Sequence, residues 1–354
     1  MKVYRYENNP IVTPQDVRPH KDGFEVIGAF NAAVTKYKNE VIMLLRVAER
    51  PVCNNPDIVK APLYNINTKD LDILELDKND ERYDFSDPRV IKDNIKKDGS
   101  FKYLTSFSYL RIARSKDGKH FTVDEEPFIY PSNELQAFGL EDPRITLIED
   151  TYYIYFSVAS PVGVGEAMVK TKNFKDIEQC GMIFAPENKD VVIFPEKING
   201  KYYALHRPVP KSTGNPEIWI AESDNLLYWG NHKHMLGLRD EKWDSGRIGG
   251  GAVPIKTEIG WLEIYHGAAK DDRYCLGAVL LDSNDPSKII ARSDNPILEP
   301  QADYEVSGFF GNVVFSCGAL TDGDRVKIYY GVSDTSMACA ELSIKEILDS
   351  LTYI

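Results

Sequence analysis

No run of about 18 apolar residues occurs in the 354-residue chain, so a membrane-spanning helix is not expected. The opening residues, MKVYRYENNP, alternate charged and aromatic side chains and lack the unbroken apolar stretch of a secretion signal. Cysteine is scarce. Cys53, Cys180, Cys275, Cys317 and Cys339 form an odd set with no C-x-x-C pair, which argues against a disulfide framework and against a structural zinc site. These absences lead us to expect a soluble protein of the reducing cytoplasm with no membrane partner. Positive charge is also in deficit, with 42 Lys and Arg against 54 Asp and Glu and a net charge of -12. A nucleic-acid partner needs a basic face to release counterions, so none is expected, although an acidic protein can still hold one phosphate locally. Helical spacing of apolar residues is confined to the tail SIKEILDSLTYI.

What the chain does have is a hydrophobic fraction of 43%, rich in aromatics with 20 Tyr, 15 Phe and 4 Trp. Such residues suit strands, and aromatic faces also suit sugar C–H surfaces. One composite phrase recurs five times: an apolar stretch, a turn with Gly, Asn or Asp, a second stretch mixing aromatic and aliphatic residues, then a polar or small residue. The copies begin at Ala29, Leu140, Lys189, Gly250 and Gly311, and each reads as a β-hairpin. A further strand-like phrase follows each, beginning at Arg111, Glu166, Ile218, Leu276 and Ala338. Units of about 50–60 residues that cannot bury both faces alone are the signature of propeller blades. The expectation is an all-β, five-bladed β-propeller with a short C-terminal helix, a single catalytic domain over residues 1–354. A β-sandwich is the alternative for the same strand pattern. Residues 50–105 form an insertion containing the acidic run LDILELDKNDERYDFSDPR, suited to covering one end of the channel or to a homodimer contact.

In a propeller, equivalent positions of all blades meet at one end of the axis. At the start of the first stretch stand Asn31, Glu141 with Asp142, Lys189 with Asp190, Gly250 and Asn312. At the end of the second stand Arg46, Ser157, Arg207, His266 and, slightly beyond, Asp334. Convergent polar groups in a concavity mark a site rather than a core. Inverting glycosidic cleavage could use such a ring in two ways. A hydrolase needs an acid and, about 6.5–9.5 Å away, a second carboxylate that activates water. A phosphorylase uses phosphate, already anionic, so the protein supplies cations and donors in place of the base. Basic groups around a lone acid match the second.

At these residues the chain resembles glycoside hydrolase family 130, five-bladed propeller enzymes that are mostly phosphorylases of β-mannosides. The resemblance runs through GAFNAAV, LLRVAER, GLEDPRIT, KDVVIFPEKINGKYYALHRP, PIKTEIGWLEIYHGA, YCLGAVLLD, PILEP, GFFGNVVFSCGA and YYGVSDT, in order over nearly the whole chain. It implies that Asp142 of the E-D-P-R motif is the general acid, passing its proton through a hydroxyl of the bound mannose. It implies a phosphate-binding set of Lys189, Arg207, His266 and Tyr274, and a mannose-binding set of Asn31, Arg46 and Asp334. Lys189 stands where arginine is expected in many members, and it offers a point charge without a bidentate fork. The insertion, with its words APLYN and YLTSFSYLRIARS, resembles the branch acting on β-1,2-linked mannobiose or mannooligosaccharides.

The implied activity is reversible, inverting phosphorolysis of a β-1,2-mannoside to α-mannose 1-phosphate, with carbohydrate and inorganic phosphate as small-molecule partners and neither cofactor nor metal. Two rivals remain open on the sequence. An inverting β-mannosidase of the same fold would need a base from among Glu196, Glu217 and Glu263, and a non-catalytic sugar-binding propeller would need no acid. His232 and His234 read as a surface turn, His206 as a structural histidine facing away from Arg207, and Gly249–Gly251 as a close strand approach near the axis.

Overall fold

The computed structural model describes residues 1–96 and 99–354. Five antiparallel units succeed one another along the chain. The first blade comprises Phe24–Tyr37, Glu40–Pro51 and Phe107–Ser115, and the second Gly139–Ile148, Thr151–Ser160, Gly163–Thr171 and Glu178–Phe184. A single parallel pairing, Gly139 with Ser108, links these two. The third is built from Asn188–Ile193, Tyr202–Pro208, Ile218–Ser223 and Gly230–Leu236. In the fourth, the innermost strand is split into Arg247–Gly249 and Ile255–Thr257, followed by Gly260–Ala268, Tyr274–Leu281 and Ile289–Ser293. The fifth holds Val314–Asp322, Arg325–Val332 and Ser336–Ser343. The repeats read from the sequence thus fall on the blades.

The ring is closed by packing between blades, which explains why many strands read as continuous apolar runs rather than alternating ones. On the strand Asn188–Ile193, Val191 and Ile193 pack against Tyr155 and Met168 of the second blade. Val192 and the following Phe194 face the other way, against Trp261 and Tyr265 of the fourth. Equivalent clusters join the first blade to the second, the fourth to the fifth, and the fifth to the first. The chain termini add the last strands: Tyr4–Arg5 pairs with Ser336–Ser343, and Leu351–Tyr353 with Ile289–Ser293.

The C-terminal helix is shorter than the tail's pattern predicts. It spans Ile344–Asp349, capped by the Ser343 hydroxyl, after which the chain turns and becomes a strand. The edge of the fourth blade offers ladder partners there that a continued helix would forgo. His232 and His234 also differ from expectation: they lie on the outermost strand of the third blade, bonded separately to His206 and Glu217. The insertion forms a hairpin, Ile58–Asn65 with Asp70–Asp77, and a small sheet of Tyr83–Asp84, Val90–Asp93 and Phe101–Leu104. It folds over one end of the channel.

Candidate active site at the propeller axis

Three innermost strands break register at the same relative place, between Phe30 and Ala33, Glu141 and Arg144, and Lys189 and Val192. At each break a polar residue adopts left-handed backbone geometry: Asn31 at φ 47°, Asp142 at 46° and Asp190 at 55°. Asn and Asp tolerate this region better than other side chains, and a bulge re-aims a side chain otherwise committed to one sheet face. Pro143, which has no N–H to give a ladder, sits where the ladder is already interrupted.

Two charged clusters result. In the first, Asp142 Oδ1 accepts from Asn31 Nδ2 at 2.9 Å and from Arg46 Nη1 at 3.0 Å. Arg46 Nη2 donates to Glu141 Oε1 at 3.1 Å, Lys189 Nζ donates to Glu141 Oε2 at 3.1 Å, and the Arg46 guanidinium lies 4.8 Å from the Phe30 ring centroid. Burial opposes the charge on Glu141, but Arg46 and Lys189 outweigh it and hold its carboxyl down at about 2. Asp334 shows the opposite balance: burial dominates over attraction to Arg46 and pushes it up to about 6.

In the second cluster, Asp190 Oδ2 forms an ion pair with Arg207 Nη1 at 3.0 Å and lies 3.1 Å from His266 Nε2. Burial disfavours its charge, yet Arg207 and His266 keep it well below the usual carboxylate range. His266 is fully buried, and burial lowers its basicity against the pull of Asp190. Among the described residues, Arg207 Nε and His266 Nδ1 have no hydrogen-bond partner. The Tyr274 ring lies 6.1 Å from that of His266, and its hydroxyl accepts from Arg247 Nε at 2.5 Å. The close approach expected of Gly249–Gly251 is present: a Cβ on Gly249 would collide with the Asp190 carboxylate and the His266 ring.

A cavity of about 280 Å3 opens beside the first cluster, walled by Arg46, Glu141, Lys189 and Asp334 together with Phe30 and Phe309. The insertion closes one side through Arg89, Val90, Phe101 and Leu104. Asn31, Arg46, Asp142, Lys189 and Asp334 are therefore brought together around one end of the axis, and Arg207 and His266 around Asp190, with the Tyr274 ring next to His266 and its hydroxyl turned to Arg247. Ser157 is not part of this ring, since its hydroxyl is sealed against Glu166 at 2.6 Å. His206 is buried facing away, stacked on Phe184 and bonded to Asn188 and His232, and burial lowers it to about 3. Sequence reasoning gave Asp190 and Arg89 no role. Asp190 is adjacent to Lys189, and the bulge that separates their partners is silent in the residue pattern.

None of the three candidate bases walls the cavity. Glu196 is paired with Lys256 at the surface, Glu217 with His234, and Glu263 is fully buried against the backbone N–H of Gly251.

A propeller whose axis gathers carboxylates, arginines and a sugar-sized cavity lined with aromatic rings is built as a carbohydrate-active enzyme. The chain belongs to glycoside hydrolase family 130, whose model, described as beta-1,4-mannooligosaccharide phosphorylase, matches residues 100–353. It is 60% identical to a Beta-1,2-mannobiose phosphorylase of Listeria innocua over 99% of both chains. It is 38% identical to a Beta-1,2-mannobiose phosphorylase of Thermoanaerobacter over 98% of this chain and 99% of the relative. The solved structure of the Listeria innocua Beta-1,2-Mannobiose phosphorylase, in complex with beta-1,2-mannobiose, superposes with a TM-score of 0.97 at 59% identity, covering 99% of each chain.

Proposed function

We propose that the protein catalyses reversible, inverting phosphorolysis of β-1,2-mannobiose, giving α-mannose 1-phosphate and mannose. The observation that carries this reading is the buried Arg207–His266 pair, which keeps two nitrogen atoms without partners among the described residues, in a cluster adjoining the Asp142 carboxylate. An anion completes that cluster, whereas a hydrolase needs a free carboxylate in its place. Glu141, the carboxylate next to Asp142, is held ionised by two cations and is a weak base.

In this reading a phosphate oxygen, bound by Arg207, His266, Tyr274 and Lys189, attacks the anomeric carbon of the non-reducing mannose. The bond from that carbon to the bridging oxygen breaks with inversion, and the departing oxygen takes a proton that originates on Asp142. Asn31, Arg46 and Asp334 hold the mannose being transferred. No step calls for a metal or an organic cofactor. The β-1,2 linkage is supported by the two full-length relatives named for it. A cytoplasmic location suits the reaction, because a phosphorylated product is retained there.

The test is incubation with β-1,2-mannobiose with and without inorganic phosphate. Mannose 1-phosphate is expected only with phosphate; free mannose at equal rates in both would establish hydrolysis and overturn the reading.

A further inference from the structure

The E-D-P-R motif also holds Arg144, to which the reaction as written gives no part. Arg144 is only 1% exposed, and its guanidinium reaches three blades. Nη1 donates to the backbone carbonyl of Asp142 at 3.0 Å, and Nη2 donates to the carbonyl of Gly250 at 2.8 Å. Nη2 also lies 3.4 Å from Asp190 Oδ1, and Nε donates to the carbonyl of Gly251 at 3.3 Å. Asp190 in turn is the carboxylate that orients Arg207 and His266. One planar group therefore touches the peptide that carries the acid and the carboxylate that organises the phosphate cradle.

The glycine backbone on the far side of Arg144 is itself braced. Gly251 N–H donates to Glu263 Oε1 at 3.0 Å, and Glu263 is fully buried on the neighbouring strand. Burial pushes the Glu263 carboxyl well above its ordinary value. A Cβ on Gly251 would strike the carbonyl of Ile264, so glycine is what allows this approach.

We propose that Arg144 is a positioning residue that sets the separation between the Asp142 acid and the Arg207–His266 cradle, with Glu263 bracing the backbone against which Arg144 rests. The inference rests on the phosphorolytic reading. In-line displacement needs the attacking and departing oxygens on opposite faces of one carbon, and a misplacement of about 1 Å costs roughly 100-fold in rate. Lysine keeps the charge but cannot span three blades, because it lacks the fork.

The experiment compares wild type, Arg144→Lys, Glu263→Gln and Glu263→Leu. It measures phosphorolysis at varied phosphate, calorimetric binding of β-1,2-mannobiose without phosphate, and melting temperature. Arg144→Lys is expected to bind mannobiose within about threefold of wild type while kcat falls roughly 100-fold and KM for phosphate rises. Glu263→Gln keeps near-wild-type kcat, whereas Glu263→Leu, which leaves the Gly251 N–H without its partner, loses about tenfold. The proposal is overturned if Arg144→Lys keeps kcat within about threefold, or if mannobiose affinity falls in step with kcat as a merely structural role demands. Should Arg144→Lys not fold, the Glu263 pair decides, and equal kcat in Gln and Leu variants overturns it. Phosphate-independent release of mannose by wild type would instead defeat the reading on which the inference stands.

Discussion

The two charged clusters at the axis use the same residue types for different ends. Around Asp142 the charges are open to the cavity and answer one another: Arg46 is shared by Asp142 and Glu141, and Lys189 by Glu141. Around Asp190 the groups are nearly sealed, and Arg207 Nε and His266 Nδ1 are left without partners among the described residues. A cluster whose charges are already balanced can receive a neutral sugar, exchanging one set of hydrogen bonds for another. One in which Arg207 Nε is a buried donor short of an acceptor is poised for an anion, because an unsatisfied buried polar group costs about 1–3 kcal/mol until something pairs it.

The difference can be broken from either side. Asp142→Asn keeps the side chain's shape but removes the proton donor. Its kcat for phosphorolysis is expected to fall at least about 1,000-fold with mannobiose binding retained by calorimetry. Loss of binding in parallel would mean that Asp142 only shapes the pocket. Arg207→Ala should act in the other cluster, raising KM for phosphate by about 100-fold while mannobiose affinity changes little. An equal rise in both constants would show that the clusters do not divide the substrates.

Smaller effects sharpen the contrast through pH. Asp334 titrates at about 6, so its ionised form, the stronger acceptor for sugar hydroxyls, gains population as pH rises through that value. KM for mannobiose should therefore fall severalfold between pH 5 and 7, and Asp334→Asn should give a higher KM that is flat with pH. Beside the sealed cluster, burial raises Glu166 to about 8, against an ordinary value of 4.5. The folded protein keeps a proton that the unfolded chain releases, so this residue costs stability increasingly as pH climbs from about 4.5 to about 8. Glu166→Gln should raise the melting temperature by a few degrees at pH 8.5 and by less at pH 5.5 in paired thermal scans.

The blades were legible because each hairpin carries its own period and turn, and five copies reinforce one another. Asn31, Asp142 and Lys189 were found by aligning the repeats, and Arg46, Arg207 and His266 by the polar residue that ends each second stretch. The reading failed where position depends on a local break rather than on a period. Strands of two or three residues, Tyr4–Arg5 and Leu351–Tyr353, are too short to show alternation and exist because a blade edge lies beside them. Arg144 was read as part of a motif, but its partners are backbone carbonyls of Gly250 and Gly251, and a carbonyl has no letter in a sequence. The bulge at Asp190 likewise separates two neighbours that simple alternation would have assigned only to opposite faces.

The outer strand of the last blade is borrowed from the beginning of the chain, with Arg5 beside Ala340 and its guanidinium on Glu305 at 2.8 Å. During synthesis at about 5–20 residues per second, that segment waits roughly 20–70 s for its partner to leave the ribosome. The circle is completed only after the last blade has been made, however well the earlier blades have settled.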